Sequence, residues 1–248
     1  MKAFALRYLT ACLLLATAVF GQDAQPSWES IMVIKIKPEM RAEYEGLVKN
    51  ELNPALKKGG LQGHHTWQTV GFGDLFEYVQ VSTIHKFADL DGPSPLVKAL
   101  DQNGADKLIA KLARCVTGAT RFASRMRPDL SIMPSSEPKL AMITSIRVTP
   151  GRRADYDNWL KNDYLPALRK GKSDGYIIQD VIFGGETGVV AVGVMKDFAA
   201  IDAGPTLTRA VGPEEAAKIT AKVAGVSTIV SRTISRYRPD LSFEVPKK

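Results

Sequence analysis

The sequence predicts an α+β protein built from two consecutive β-α-β-β-α-β units, and three observations carry that prediction. The stretch from Pro38 to Gly59 recurs from Pro150 to Gly171. Pro38, Arg41, Ala42, Tyr44, Lys49, Asn50, Pro54, Ala55, Leu56, Lys58 and Gly59 each meet an identical residue 112 positions later. The run Arg125-Met126-Arg127-Pro128-Asp129-Leu130-Ser131 returns as Arg236-Tyr237-Arg238-Pro239-Asp240-Leu241-Ser242, 111 positions on, so one residue has been lost between the two stretches. A period near 110 residues exceeds the roughly 20–50 residues of a solenoid repeat and fits two copies of a small domain. Finally, strand and helix signals follow the same order in both copies.

Residues 31–37 and 142–148 are β-branched runs and predict the first strand of each copy. Pro38 and Pro150 then stand where a first helical turn tolerates a missing N–H. The helix that follows shows an apolar face at spacings of three and four: Met40, Tyr44, Leu47, Val48, Leu52 and Ala55, and again Tyr156, Trp159, Leu160, Tyr164 and Ala167. Pro54 and Pro166 are expected to kink or restart it, and Gly59 and Gly171 to close it. Two strands come next, 64–72 and 75–84 around Gly73-Asp74, with counterparts 176–183 and 187–195 around Gly185-Glu186; each pair reads as a tight hairpin. Helical pieces at 94–101 and 104–114, and at 205–211 and 213–224, lead to a last strand at 117–127 or 228–238. That order is the ferredoxin-like motif, twice. The expected boundaries are a first repeat over 30–131, a linker over 132–139 containing Met133-Pro134-Ser135-Ser136, a second repeat over 140–242 and a tail over 243–248.

Ahead of the repeats, Met1–Gly21 places Lys2 and Arg7 before the apolar run Leu9–Phe20, which reads as a secretory signal, followed by a flexible segment over 22–29. The run is too short for the ~20 apolar residues of a membrane span, so no stable membrane insertion is expected after cleavage, and the mature protein is expected to be secreted or periplasmic. Cys12 would leave with the signal. Cys115 then remains alone in an apolar helical pattern, where a packed thiol is expected. Loss of Lys2 and Arg7 lowers the net charge from +7 to +5. That excess is mild, without a basic run or aromatic-basic interleaving, and argues against nucleic-acid binding while suiting acidic small molecules or anionic surfaces. A composition 45% hydrophobic gives each copy enough apolar material for its own core.

The run Val33-Ile34-Lys35-Ile36-Lys37-Pro38, a tyrosine seven residues after the strand, and Leu52-Asn53-Pro54-Ala55-Leu56-Lys57-Lys58-Gly59-Gly60 resemble the opening of NIPSNAP-type domains. More broadly they resemble the dimeric α+β barrel superfamily, which also holds antibiotic-biosynthesis-type monooxygenases. The resemblance implies that the two ferredoxin-like units form a barrel within one chain, a monomeric pseudo-dimer able to self-associate. It further implies a pocket between sheet and helices or inside the barrel, with functions from cofactor-free oxidation of aromatics to haem degradation or no chemistry. The haem-degrading branch carries an asparagine on its first strand, and residues 31–37 contain none. Trp67 and His85 imitate its tryptophan and histidine, but Trp67 falls on the second strand, so those roles are not carried over. A physical reason favours the barrel: a four-stranded sheet with helices on one face needs its other face covered, and a twin sheet covers it.

Candidate site residues come from a difference between the copies. With the hairpin centred between Gly73 and Asp74, His65, Trp67 and Thr69 oppose Ser82, Gln80 and Tyr78 on one sheet face. The corresponding residues of the second copy are then Ile177, Gln179, Val181, Val194, Val192 and Val190, almost all apolar. The first copy is therefore expected to hold a pocket of His65, Trp67, Tyr78, Gln80 and Ser82, with Trp67 and Tyr78 stacking on a substrate and His65 moving a proton. Arg125 and Arg236, within the arginine trios Arg121/Arg125/Arg127 and Arg232/Arg236/Arg238, are candidates for gripping a carboxylate or phosphate; salt bridges to Asp129, Asp240 and helix carboxylates are the competing explanation. Glu51 and Asp163, also matched, read as helix-edge ion pairs or as pocket bases.

His64, His65 and His85 lie close in sequence, yet strand neighbours point to opposite faces and no third ligand has fixed spacing, so no metal is expected. No dinucleotide or phosphate loop, serine elbow or cysteine pair is present, and no cofactor is expected. The expected function is binding of a small aromatic or anionic molecule, with cofactor-independent monooxygenase-like chemistry as its catalytic form and a non-catalytic ligand-binding or structural protein as the alternative.

Overall fold

A computed structural model describes residues 28–136, 138–185 and 187–246. The expected signal, 1–21, and residues 22–27 of the segment after it lie outside the described residues. Among the described residues no helix is long and apolar enough to cross a membrane.

Eight strands close an antiparallel barrel. They are β1 (Trp28–Ile36), β2 (Gly63–Thr69), β3 (Glu77–Ile84), β4 (Val116–Met126), β5 (Leu140–Val148), β6 (Tyr176–Phe183), β7 (Val189–Met195) and β8 (Ser227–Tyr237). Around the barrel they run β3-β1-β4-β6-β7-β5-β8-β2, and β2 returns to β3. A two-residue strand, β9 (Phe243–Glu244), adds to β2. The strands of the first half, β1–β4, thus meet those of the second, β5–β8, edge to edge at β4–β6 and β2–β8. Closure leaves no open edge in either half.

The helices cover the outside. On β1, Met32, Ile34 and Ile36 face the first-half helices and pack with Tyr44, Leu47, Val48, Leu52, Leu108 and Cys115, so Cys115 is the packed thiol expected. In the second half, Ile146, Ile178, Val189 and Ala191 do the same with Tyr156, Leu160, Leu165, Ala216 and Ile219. The expected proline effect takes a specific form. Each first helix runs Arg41–Leu47 or Arg153–Trp159, widens into a π-helical turn, Val48–Leu52 or Leu160–Tyr164, and resumes as Asn53–Lys58 or Leu165–Lys170. Pro54 and Pro166 cannot donate to the preceding turn, and the chain shifts to i→i+5 bonds there, Asn53 N–H to Val48 O and Leu165 N–H to Leu160 O.

Gly59 and Gly171 do end these helices, but not through a left-handed conformation, since their φ values are −77° and −78°. They are glycines for close approach. A Cβ on Gly59 would lie 1.9 Å from the carbonyl oxygen of Pro95, and one on Gly171 2.8 Å from Cβ of Ala210.

The repeated Arg-x-Arg-Pro-Asp motif crosses the seams. Arg238, at the end of β8, donates to both carboxylate oxygens of Glu45 on the first-half helix at 2.9 Å and to Gln68 on β2 at 2.7 Å, while Asp240 holds its other edge. Arg127, at the end of β4, reaches Asp157 at 3.2 Å and Asp180 at 3.3 Å in the second half and is backed by Asp129. Arg153 joins Asp157 and Asp180. The competing explanation weighed for these motif arginines, salt bridges to Asp129, Asp240 and helix carboxylates, is what the structure shows for Arg127 and Arg238. Hydrogen bonds from Arg238, Tyr78 and Arg41 hold the Glu45 carboxyl down at about 2.

Candidate functional site

The hairpin register differs by one residue from the expected one. His65 pairs with Val81, Thr66 with Gln80, Trp67 with Val79 and Gln68 with Tyr78. A one-residue slip sends one strand's side chains to the other face. His65 and Trp67 therefore share the barrel-interior face with Val79 and Val81, whereas Tyr78, Gln80 and Ser82 share the helix face with His64, Thr66 and Gln68. The pocket expected from His65, Trp67, Tyr78, Gln80 and Ser82 is not one constellation. The cause is the missing residue: Met32 faces Gln80 and Thr144 faces Ala191, so the offset is already 111 on β3 and the deletion lies in the hairpin. Tyr78, Gln80 and Ser82 correspond to Val189, Ala191 and Gly193.

Each group acquires local partners. His65 Nδ1 lies 3.3 Å from the Tyr237 hydroxyl and its Nε2 2.9 Å from Glu244, with Trp67 against the Tyr237 ring at 5.2 Å. Tyr78 donates to Glu45, Gln80 donates to the Tyr44 hydroxyl at 3.2 Å, and Ser82 lies 2.9 Å from His64 Nδ1. Burial, reinforced by the neighbouring His65, pushes His64 down to about 4. Arg125 sits over the Trp28 ring at 5.9 Å and 3.6 Å from Asp180; Arg236 is exposed and lines a second crevice with Lys139 and Lys196. His64 and His65 point to opposite faces of β2, and among the described residues no group of three His, Cys, Asp or Glu is placed to hold a metal ion. Glu51 and Asp163 form the helix-edge ion pairs, with Lys111 and Lys222.

A half-open cavity lies in the second half, between β5–β8 and the helices, with a volume of about 820 Å³. That is within the usual range for small-molecule sites, ~300–1,000 Å³. Its walls follow from matched positions. Where the first half has Leu47, Leu52 and His64, the second has Trp159, Tyr164 and Tyr176; where the first has Gln80 and Ser82, the second has Ala191 and Gly193. Aromatic rings thus line one side while the opposing strand is stripped to small residues. The π-helical turn places Trp159 and Tyr164, five residues apart, on one side of the helix, with their ring centroids 4.8 Å apart and the planes tilted by 31°. Tyr176 continues the row, 5.3 Å from Tyr164, and Tyr156 closes the other end, 5.7 Å from Trp159.

Two polar groups in this lining stand out. Tyr156 is buried, and its hydroxyl has no hydrogen-bond partner, because the Gln80 amide that serves Tyr44 in the first half is replaced by Ala191. Arg232, solvent-exposed at the cavity, is the one charged residue lining it among the described residues; its Nε donates to Thr144 at 3.3 Å and it forms no ion pair there. By contrast Trp159 Nε1 is spent on the carbonyl of Ile219 at 2.8 Å. Burial raises the hydroxyls of Tyr156, Tyr164 and Tyr176 above the ordinary tyrosine value, so all three are protonated donors at neutral pH.

The closed barrel with outer helices is the dimeric α+β barrel fold, and solved structures share it. No family's sequence profile matches the chain, and neither does any curated protein. An anthrone oxidase-like protein superposes with a TM-score of 0.58 at 10% identity, covering 91% of this chain and 96% of that one. A candidate monooxygenase from Lactobacillus acidophilus gives 0.55 at 12%, over 89% and 97%. A haem-binding protein from Thermus thermophilus gives 0.51 at 9%, over 87% and 93%. At such identities the likeness establishes the fold alone. Haem iron is held by histidine, cysteine, methionine or tyrosinate ligands. Among the described residues the cavity is lined by no histidine or cysteine and its tyrosines are held protonated, which leaves the weak thioether of Met142 alone, so its lining does not fit a haem with a strong protein ligand.

Proposed function

We propose that this chain is a secreted or periplasmic tandem barrel, two ferredoxin-like repeats over 30–131 and 140–242, that binds a small aromatic, anionic molecule in the second-half cavity. One observation carries the reading: a cavity of about 820 Å³ with a row of four neighbouring aromatic rings along its wall, ending at Tyr156, whose buried hydroxyl is unpartnered. Buried polar groups left unpaired cost about 1–3 kcal/mol, and a ligand oxygen at Tyr156 would recover that cost. The residues ahead of β1 support export, and the two seams support reading the chain as a monomeric pseudo-dimer able to self-associate.

Cofactor-independent, monooxygenase-like oxidation of the bound molecule is the catalytic form of this proposal. The second reading is a non-catalytic binding protein, and one observation favours it: among the described residues no histidine or carboxylate lines the cavity to act as an ordinary base.

Native mass spectrometry of protein purified from its own host tests the proposal. A retained aromatic acid, absent from a Gly193→Val variant, is the expected result; a retained molecule that survives that substitution overturns the placement in this cavity. Oxygen uptake on adding the released molecule back to stripped protein separates the enzyme from the binder.

A further inference from the structure

Two polar groups of the cavity, Arg232 and Tyr156, differ in kind, and that difference defines a ligand with two different ends. Arg232 supplies a single positive charge to walls that otherwise carry none. Its guanidinium spends Nε on Thr144 and keeps its two terminal nitrogens uncommitted, the fork that matches a carboxylate. Its field reaches the aromatic row, where it opposes the burial effect on Tyr164 and Tyr176. Tyr156, at the other end of the ring row, has a buried hydroxyl that donates and nothing that accepts. Between them, Trp159, Tyr164 and Tyr176 offer aromatic surface, and the indole N–H of Trp159 is already committed to Ile219. Arg121 holds the matching place in the first half, bonded to Ser30 at 2.7 Å, but the positions below it are Met32, Leu47, Leu52 and Gln80 rather than Thr144, Trp159, Tyr164 and Ala191.

We infer that the ligand is a monoanionic aryl carboxylate of fused or linked rings, its carboxylate on Arg232 and a carbonyl or phenolic oxygen at its far end on the Tyr156 hydroxyl. This rests on the cavity reading above and narrows it from aromatic anions in general to acids carrying a second oxygen. One charge in the lining selects a monoanion over a phosphate or dicarboxylate. The aromatic row selects a ring system on that side over a sugar or peptide, while the hydroxyls of Thr208, Ser227 and Thr228 also line the cavity.

Calorimetric titration with three probes tests this: 6-hydroxy-2-naphthoate, 2-naphthoate without the distal oxygen, and 2-naphthol without the carboxylate. Wild-type protein is expected to bind the first at least tenfold tighter than either of the others. Arg232→Gln should erase the advantage of 6-hydroxy-2-naphthoate over 2-naphthol while preserving that over 2-naphthoate; Tyr156→Phe should do the converse. Tyr156→Phe removes a hydroxyl that bonds to nothing, so it is expected to fold, and circular dichroism confirms it. If 2-naphthol binds as tightly as the acids and Gly193→Val blocks them all, the aryl-carboxylate class is overturned and the cavity stands. If none of the three binds wild-type protein, or Gly193→Val binds them unchanged, the cavity reading itself falls and this inference with it.

Discussion

Replacing Gly193 by valine separates the cavity from the fold. Gly193 lies on β7 opposite Met142, and an added Cβ would meet Met142 Cβ and O at 3.9 Å and Tyr176 Cδ2 at 4.0 Å, ordinary contact distances. Glycine within a strand costs about 0.5–1 kcal/mol relative to alanine, and a β-branched residue suits the pleat better still. The valine methyls would project into the space between Tyr176 and the helices. The expected outcome is a protein more stable by about 1 kcal/mol, which for a chain of this length raises Tm by about 2–4 °C. Binding should move the other way, because side chain and ligand compete for one volume; overpacking of about 1–3 kcal/mol corresponds to a roughly ten- to hundredfold weaker Kd. Urea unfolding and calorimetric titration with 6-hydroxy-2-naphthoate read the two effects separately. A variant destabilised by more than 2 kcal/mol would show that no open space lies beside Gly193, and a variant that binds as wild type would show that the ligand sits elsewhere.

Other outcomes follow from the same structure. Gly59→Ala should destabilise by about 2 kcal/mol or more, since its Cβ would fall 1.9 Å from a backbone oxygen, and chemical denaturation checks it against Gly193→Val. His64, held at about 4 against an ordinary 6.5, is neutral in the fold; the unfolded chain takes up its proton first, so stability is intact above pH 6.5 and falls by about 3 kcal/mol as the pH drops to 4. His64→Gln should flatten that part of the pH–stability curve. Glu45, held at about 2 and thus below its unfolded value, contributes stability that is present above about pH 4.3 and lost toward pH 2. Arg238→Gln should remove that lower limb and cost about 2 kcal/mol at neutral pH, given the charged hydrogen bonds to Glu45, Asp240 and Gln68.

Strand order and helix positions were legible because periodicity reports local structure directly. The barrel closure was implied by resemblance and by the need to cover a sheet, although the halves meet edge to edge at β4–β6 and β2–β8 instead of simply stacking face to face. What failed was a single register. Shifting His65 opposite Ser82 instead of Val81 placed five residues together that the hairpin divides between two faces. Period-two structure makes such an error total, since a slip of one moves every side chain of a strand across the sheet. Placing the lost residue in the hairpin would have aligned Gln80 and Ser82 with Ala191 and Gly193. Together with Trp159, Tyr164 and Tyr176 in place of Leu47, Leu52 and His64, that alignment marks a space opened in the second half. Tyr156, Trp159 and Tyr164 were visible as a helix face, and nothing in their spacing distinguishes a cavity wall from a core. The unpaired state of the Tyr156 hydroxyl depends on what stands across the sheet, information that no local pattern holds.

The most direct test is a crystal structure of the protein soaked with 6-hydroxy-2-naphthoate. Density for the ring system stacked on Trp159 and Tyr164, with its carboxylate on Arg232 and its hydroxyl oxygen within hydrogen-bond distance of Tyr156, is the result expected. An empty second-half cavity with the acid bound inside the barrel beside His65 and Trp67 would contradict it.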